Sequence, residues 1–264
     1  MQVSFSMGRV GPSAVLVTVF ALGGCATSQS PDLAFTGGPR LAPTKTSVTK
    51  VNQFTQRAQK EEQPTLPTWT VVKPSKPSQE LKSPLTPSEL FARVAPSVYV
   101  VRATRVVKPT FLQGSAVAIS ASEAITNCHV VVHAKSITVS KGADELSAEI
   151  ITADPQSDRC YLKVRGGTLK PILGVRDYGN LVIGETVYTI GSPRGLDSTL
   201  AQGLLSGLRN RDGTQYIQTS APISKGSSGG GLFDDRGNLI GITTLVIKDS
   251  QNLNFAIAAS EYWK

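Results

Sequence analysis

Histidine and cysteine are scarce in this chain of 264 residues, with two of the first and three of the second. So few ligands, at spacings that match no zinc pattern, leave no metal site in prospect. No cofactor is expected either. Aromatics make up 6% of the chain and charged residues 17%. Although the net charge is +8, no basic stripe with interleaved aromatics occurs, which argues against a nucleic-acid partner. No apolar run reaches the roughly 18 residues of a membrane-spanning helix. Long helical periodicity is missing as well. What remains is an apolar fraction of 40%, enough for a sizeable core.

The N-terminus carries an export pattern. Arg9 is the only charged side chain before Asp32, and Val10 to Gly24 is apolar. That run is too short to span a bilayer and suits the core of a signal peptide. It ends Leu22-Gly23-Gly24-Cys25, which resembles the lipobox of bacterial lipoproteins. The resemblance implies a signal peptide over residues 1–24, cleavage before Cys25, and acylation of its thiol and new amino group. The expected partner is therefore a membrane, held through a lipid anchor in the bacterial cell envelope. Ala26, in place of an aspartate, favours the outer membrane.

Residues 25–85 read as a flexible tether. Eight of the chain's 16 prolines fall there, among Ser, Thr, Lys and Gln. Such composition cannot bury enough apolar surface to offset chain entropy. As a coil, this length reaches about 45 Å. The folded domain, residues 86–264, is expected to open at Thr86-Pro87-Ser88-Glu89, a capping box with proline at the first helical position. Leu90, Phe91 and Val94 lie on one face of the short helix that follows.

Thereafter the chain reads as short segments rich in β-branched residues, punctuated by Gly, Ser, Lys and Asp. The first group covers 97–105, 110–120, 123–131, 136–140 and 145–164. The second covers 181–191, 200–208, 216–223, 232–233, 239–247 and 253–258. Two groups of about six strands suggest an all-β fold of two packed six-stranded antiparallel barrels. Six residues follow Ala258, so no further domain is expected after the second group.

Three phrases carry chemistry. Gly226-Ser227-Ser228-Gly229-Gly230-Gly231 sets serine among glycines, where a hydroxyl can be exposed on a sharp turn with backbone N–H groups close by. His129 ends the apolar run from Ala124. Asp158 precedes the apolar segment Cys160 to Val164, an unusual place for an unpaired carboxylate.

In the order His129, Asp158, Ser228, these phrases resemble the trypsin-like serine proteases of the chymotrypsin fold. Among them, the bacterial HtrA/Deg peptidases are the most similar. Thr126-Asn127-Cys128-His129-Val130-Val131, Ser157-Asp158-Arg159-Cys160-Tyr161-Leu162, Gly191-Ser192-Pro193-Arg194-Gly195-Leu196 and Gly226-Ser227-Ser228-Gly229-Gly230 carry the likeness. Tyr216-Ile217-Gln218-Thr219, Leu239-Ile240-Gly241-Ile242 and Asn254-Phe255-Ala256-Ile257 add to it, over residues 86–260.

The resemblance implies a serine endopeptidase acting on protein or peptide substrates. Ser228 would be the nucleophile, His129 the base and Asp158 its orienting acid, with the N–H groups of Gly226 and Ser228 as the oxyanion hole. The first specificity pocket would be lined by Pro222, Ile223, Ile242, Thr243 and Thr244, with Phe255, Ala256 and Ile257 near its base. Pro222 stands where trypsin's pocket has its aspartate, so small or aliphatic side chains are expected before the cut. The PDZ domain usual in the HtrA/Deg family is not found in this sequence. A catalytically silent binding module on the same fold is the rival reading. Because Asp158 must reach His129, Cys128 and Cys160 are drawn together. Either a disulfide, permitted by export, or a pair of buried thiols is expected there.

Overall fold

The computed structural model describes residues 75–77, 80–105, 111–192, 198–246 and 253–264. The expected signal peptide over residues 1–24, Cys25, most of the expected tether, and the 193–196 part of the phrase that begins at Gly191 lie outside these residues. The first helix, α1 (Pro87–Val94), forms as its sequence predicts. The Thr86 side chain accepts from the Glu89 N–H, and the Glu89 carboxylate accepts from the Thr86 N–H at 2.9 Å. Its apolar face buries Leu90 and Val94, each worth roughly 1.5–3 kcal/mol of hydrophobic stabilisation.

Contacts to the domain begin before this helix. The Leu81 N–H donates to Asn238 Oδ1 at 2.7 Å, and the Leu85 N–H to the Asp235 carbonyl at 2.8 Å. The end of the expected tether, residues 81 and 85, is thus laid along the domain.

Twelve strands follow. The first six are β1 (Val98–Arg105), β2 (Phe111–Ala118), β3 (Glu123–Thr126), β4 (Ala134–Lys141), β5 (Asp144–Asp154) and β6 (Arg159–Arg165). They close a barrel in the order β1-β2-β3-β6-β5-β4. The second six are β7 (Thr186–Gly191), β8 (Thr199–Arg211), β9 (Thr214–Thr219), β10 (Gly231–Asp234), β11 (Leu239–Val246) and β12 (Asn254–Ala258). They close a second barrel in the order β10-β11-β12-β9-β8-β7. All of these pairings are antiparallel.

The near-continuous apolar runs reflect burial on both faces of several strands. In the first barrel Tyr99, Val101, Ala116, Ala124 and Leu162 fill the interior. Their neighbours Val98, Val117, Ile125 and Tyr161 point the other way, as strand alternation requires. The second barrel does the same: Val187, Leu205, Ile217, Leu232 and Ile240 face inward, and Tyr188, Ile190, Phe233, Leu239 and Ile242 face outward. The two outward sets form one shared layer between the barrels, with Leu90, Val94 and Tyr262 in it.

Two local expectations are corrected. The stretch read as one strand over 145–164 is two strands, β5 and β6, broken at Pro155 to Asp158. The segment after β3 does not continue as strand to Val131. After Thr126 the chain turns into a short helix, α2 (Cys128–Val131), which carries His129.

Candidate active site

His129 is the second residue of α2 and stands half exposed, while Asp158 occupies the turn between β5 and β6. Asp158 adopts φ +57°, the left-handed region that few non-glycine residues enter. Hydrogen bonds hold it there. Its carbonyl accepts from Asn127 Nδ2 at 3.2 Å and the Cys128 N–H at 3.3 Å. Its Oδ1 accepts from the His129 N–H at 2.9 Å, and its Oδ2 lies 2.8 Å from His129 Nδ1. Thr244 Oγ1 donates to the same Oδ2 at 2.8 Å. The carboxylate is therefore surrounded by donors, which is how a partly buried charge is kept at acceptable cost.

Cys128 and Cys160 form a disulfide, with Cα atoms 4.9 Å apart and a sequence separation of 32. Thr126 is in register with Cys160 across β3 and β6. The bond therefore ties the start of α2, one residue before His129, to β6, two residues after Asp158. Arg159 braces the same turn from the other side. Its Nη2 donates to Asp154 Oδ2 at 2.7 Å, and its Nη1 donates to the Glu261 carbonyl. Burial works against the ionisation of Asp154, and the hydrogen bonds from Arg159 and Ser157 outweigh it, holding this carboxyl below its usual range. Tyr216 and Tyr262 flank the region. Burial first, and the negative charge of Asp158 second, raise both phenols above their ordinary value.

Ser228 comes from the second barrel, on the turn before β10. The turn requires two glycines at positive φ, Gly226 at +94° and Gly229 at +86°. A Cβ on Gly229 would collide with the Ser115 carbonyl and with Thr126 Oγ1. Within the turn the N–H groups of Ser227, Gly229 and Gly230 donate to Ser224, Thr243 and Ser227 carbonyls at 2.8–2.9 Å. Among the described residues the N–H groups of Gly226 and Ser228 have no acceptor.

The first barrel grips this turn through Ser115 on β2. The Ser115 N–H donates to the Ser228 carbonyl at 2.7 Å, and its Oγ donates to the Gly226 carbonyl at 2.8 Å. Thr126 Oγ1 in turn donates to the Ser115 carbonyl at 2.7 Å. Ser227 is buried, and its hydroxyl faces back to the Ser224 N–H at 3.5 Å. Ser228 is less buried, and its Oγ donates to the Thr244 carbonyl at 3.4 Å. Among the described residues no hydrogen bond joins His129 to Ser228; Thr244 stands between them, its hydroxyl on Asp158 and its carbonyl on Ser228 Oγ.

Of the five expected pocket residues, the structure leaves two beside the serine turn in accessible positions: Pro222, exposed, and Ile223, half-buried. The other three have their side chains engaged elsewhere. Ile242 is fully buried in the layer between the barrels. Thr243 Oγ1 donates to the Ser227 and Gly230 carbonyls at 2.5 and 3.2 Å, and Thr244 turns to Asp158. Alternation along β11 sends these side chains to core, turn and carboxylate. Asn254 was not anticipated from sequence. It is buried, and its Nδ2 donates to the Ala221 carbonyl at 3.0 Å, fixing the segment that leads to Pro222.

A double antiparallel barrel with histidine and aspartate on one barrel and serine on a glycine turn of the other defines the class of chymotrypsin-like folds. Comparison with known proteins narrows this. Residues 114–242 match the family described as "Trypsin-like peptidase domain". The chain is 38% identical over 141 residues to a "Probable periplasmic serine endoprotease DegP-like" of Pseudomonas putida strain GB-1, covering 50% of this chain and 29% of that protein. It is 34% identical over 158 residues to the "Periplasmic pH-dependent serine endoprotease DegQ" of Escherichia coli K12, covering 56% and 35%. Among solved structures, "HtrA-type protease AlgW with tripeptide" aligns with TM-score 0.61 and 33% identity, over 66% of this chain and 60% of that one. The serine endoprotease from Yersinia pestis aligns with TM-score 0.59 and 30% identity, over 68% and 65%. Residues 114–242 of this chain thus match a trypsin-like peptidase domain, and its relatives are of the HtrA/DegP type. These matches span about a third of the length of the curated relatives.

Proposed function

We propose that this protein is an exported serine endopeptidase whose nucleophile, base and orienting acid are Ser228, His129 and Asp158. The observation that carries the proposal is the 2.8 Å contact of His129 Nδ1 with Asp158 Oδ2, with Thr244 touching both Asp158 and Ser228 and the N–H groups of Gly226 and Ser228 left without an acceptor among the described residues. With Nδ1–H given to Asp158, the Nε2 of His129 is the tautomeric acceptor for the Ser228 proton. Ser228 attacks the scissile carbonyl and His129 then returns the proton to the leaving amine. Asp158 stabilises the imidazolium formed between these steps. The N–H groups of Gly226 and Ser228 receive the oxyanion, each donor contributing roughly 3–4 kcal/mol in the transition state.

The side chain before the cut meets Pro222 and Ile223 and no acid. Small or aliphatic residues fit there, whereas Lys or Arg would lose hydration without gaining a partner. The relatives are named as periplasmic enzymes, which agrees with the export signal. A lipid on Cys25 would hold the domain at the membrane, and Cys25→Ser should release it to the soluble fraction. The rival, a silent binding module, has no use for two N–H groups without an acceptor in a serine turn. Degradation of an unfolded protein substrate tests the proposal. The wild type should cleave it, mainly after Val, Ile, Ala or Leu, and Ser228→Ala should lose at least about 10⁴-fold in rate. Undiminished cleavage by Ser228→Ala, or cleavage mainly after Arg, would refute the respective assignment.

A further inference from the structure

Three polar side chains of the second barrel, Arg176, Asp234 and Asn238, are buried away from the candidate active site. They meet at the turn that joins β10 to β11. The Asn238 N–H donates to Asp234 Oδ1 at 2.9 Å, and Asn238 Nδ2 donates to Asp234 Oδ2 at 3.0 Å. Arg176 Nη1 lies 3.6 Å from the same Oδ2, and Arg176 Nε lies 3.9 Å from Glu80.

Asn238 also grips the chain ahead of α1. Its Oδ1 accepts from the Leu81 N–H at 2.7 Å, and its Nδ2 donates to the Leu81 carbonyl at 2.8 Å. A side-chain amide that answers both the donor and the acceptor of one residue binds main chain. A second hold follows at Leu85. Its N–H donates to the Asp235 carbonyl at 2.8 Å, and its side chain packs on the layer between the barrels. Residues 80–85 thus form a strap across the β10–β11 turn.

The other end of this hairpin is the serine turn. β10 starts at Gly231, three residues after Ser228, and ends at Asp234. β11 starts at Leu239, next to Asn238, and runs to Thr243 and Thr244. Thr243 Oγ1 holds the Ser227 and Gly230 carbonyls, and the Thr244 carbonyl accepts from Ser228 Oγ. The strap and the serine turn are separated by the length of β10, about 13 Å. Between them the ladder changes offset. Leu232 faces Gly241 but Phe233 faces Leu239, so Ile240 is an extra residue on β11. Such a bulge disrupts the ladder locally, and pairing with β12 begins only at Gly241. Ahead of that point, Leu239 is held by the Gly174 carbonyl and the Arg176 N–H, and Asn238 by Asp234 and the strap.

We propose that residues 80–85 are a positioning strap and that Asn238 is the positioning residue it acts through. By fixing the closed end of the β10–β11 hairpin, the end of the tether keeps the serine turn in the shape that reacts. The inference rests on the endopeptidase reading above. It adds a coupling between the segment that leads to Cys25 and the reactivity of Ser228. A loosened strap leaves both barrels folded and lets β11 shift, which draws Thr243 and Thr244 away from the turn.

Two variants of the full chain test it, measured well below their melting temperatures. Leu81→Pro deletes the N–H that Asn238 accepts, and Asn238→Ala deletes the whole grip. Each should slow fluorophosphonate labelling of Ser228 about three- to tenfold, the scale of one net hydrogen bond, and lower kcat with KM nearly unchanged. Amide hydrogen exchange needs no turnover, and it should be at least about fivefold faster at the Gly229 and Gly230 N–H groups. Should Asn238→Ala fail to fold, Leu81→Pro carries the test, because it leaves the side chains of the hairpin intact. Leu81→Ala keeps the N–H and should stay within about twofold of the wild type. An equal loss in Leu81→Ala would put the effect in the side chain and overturn the role of Asn238. A lower melting temperature with labelling and exchange unchanged would overturn the inference and leave the protease standing. Faster exchange in the variants of a protein that takes up no label would keep the strap and remove the protease reading.

Discussion

The two barrels hold their contributions to the site by different means. The first supplies His129 and Asp158 from separate segments, α2 and the β5–β6 turn. It locks them together with the Cys128–Cys160 disulfide and with hydrogen bonds from Asn127, Cys128 and His129 to Asp158. The second supplies Ser228 from one turn whose shape comes from glycines at positive φ and from carbonyls held by Ser115 and Thr243. A covalent link keeps two side chains in register even if local packing loosens. A turn held by backbone conformation has no such reserve, so it should fail sharply when that conformation is denied. The comparison predicts an unequal response to perturbation.

The largest effect is expected at Gly229. Gly229→Ala puts a Cβ against the Ser115 carbonyl at a φ of +86°. It should cost at least about 3 kcal/mol through strain and displacement, and it should abolish turnover. Urea denaturation together with an activity assay reads both. A stable, active Gly229→Ala protein would mean that the turn has other shapes open to it.

The first barrel should be more forgiving of activity than of stability. Replacing both Cys128 and Cys160 by serine removes a loop closure over 32 positions and should lower stability by about 3–4 kcal/mol. Because the hydrogen bonds to Asp158 survive, kcat/KM at 25 °C should fall only severalfold. A loss of activity far larger than the loss of stability would give the disulfide a direct part in aligning the site.

A smaller effect belongs to Thr244, which bridges the barrels. Thr244→Val keeps the shape and deletes the hydrogen bond to Asp158 Oδ2. A loss of about tenfold in kcat/KM is expected, with little change in KM or in melting temperature, as for one hydrogen bond to a charged group. A fall in melting temperature with unchanged kcat would make Thr244 structural only.

The smallest effect is a pH dependence of the β5–β6 turn. Asp154 titrates below its ordinary 3.8 in the folded protein, so its contribution to stability is present above that value and lost as pH falls through the lower one. Melting temperature measured from about pH 6 down to pH 3 should therefore drop less steeply in Asp154→Asn than in the wild type. Parallel curves would mean that the Arg159 pair adds nothing measurable.

The double barrel was legible because strand periodicity and turn residues recur along the chain, and both faces of several strands are apolar. The order of the three phrases was legible too. The surroundings of His129 were not. The run from Ala124 to Val131 is rich in apolar and β-branched residues and reads as strand, but the Cys128 N–H bonds to the Asp158 carbonyl and the chain coils into α2. Tertiary contacts override propensity there. Asp158 read as a strand start because nothing local signals a left-handed aspartate; distant donors stabilise it. The hydroxyl bond of Thr244 to Asp158 was not legible either, because alternation alone cannot say that a carboxylate from the other barrel waits on that side. Each misreading sits where one barrel meets a segment distant in sequence.

The central claim is that Ser228, prepared by groups from both barrels, is the nucleophile. Reaction with a fluorophosphonate, followed by peptide mapping in a mass spectrometer, tests it most directly. The account predicts one adduct on Ser228, lost in His129→Ala and retained in Ser227→Ala. An adduct on Ser227, or a folded wild-type protein that takes up no label, would contradict it.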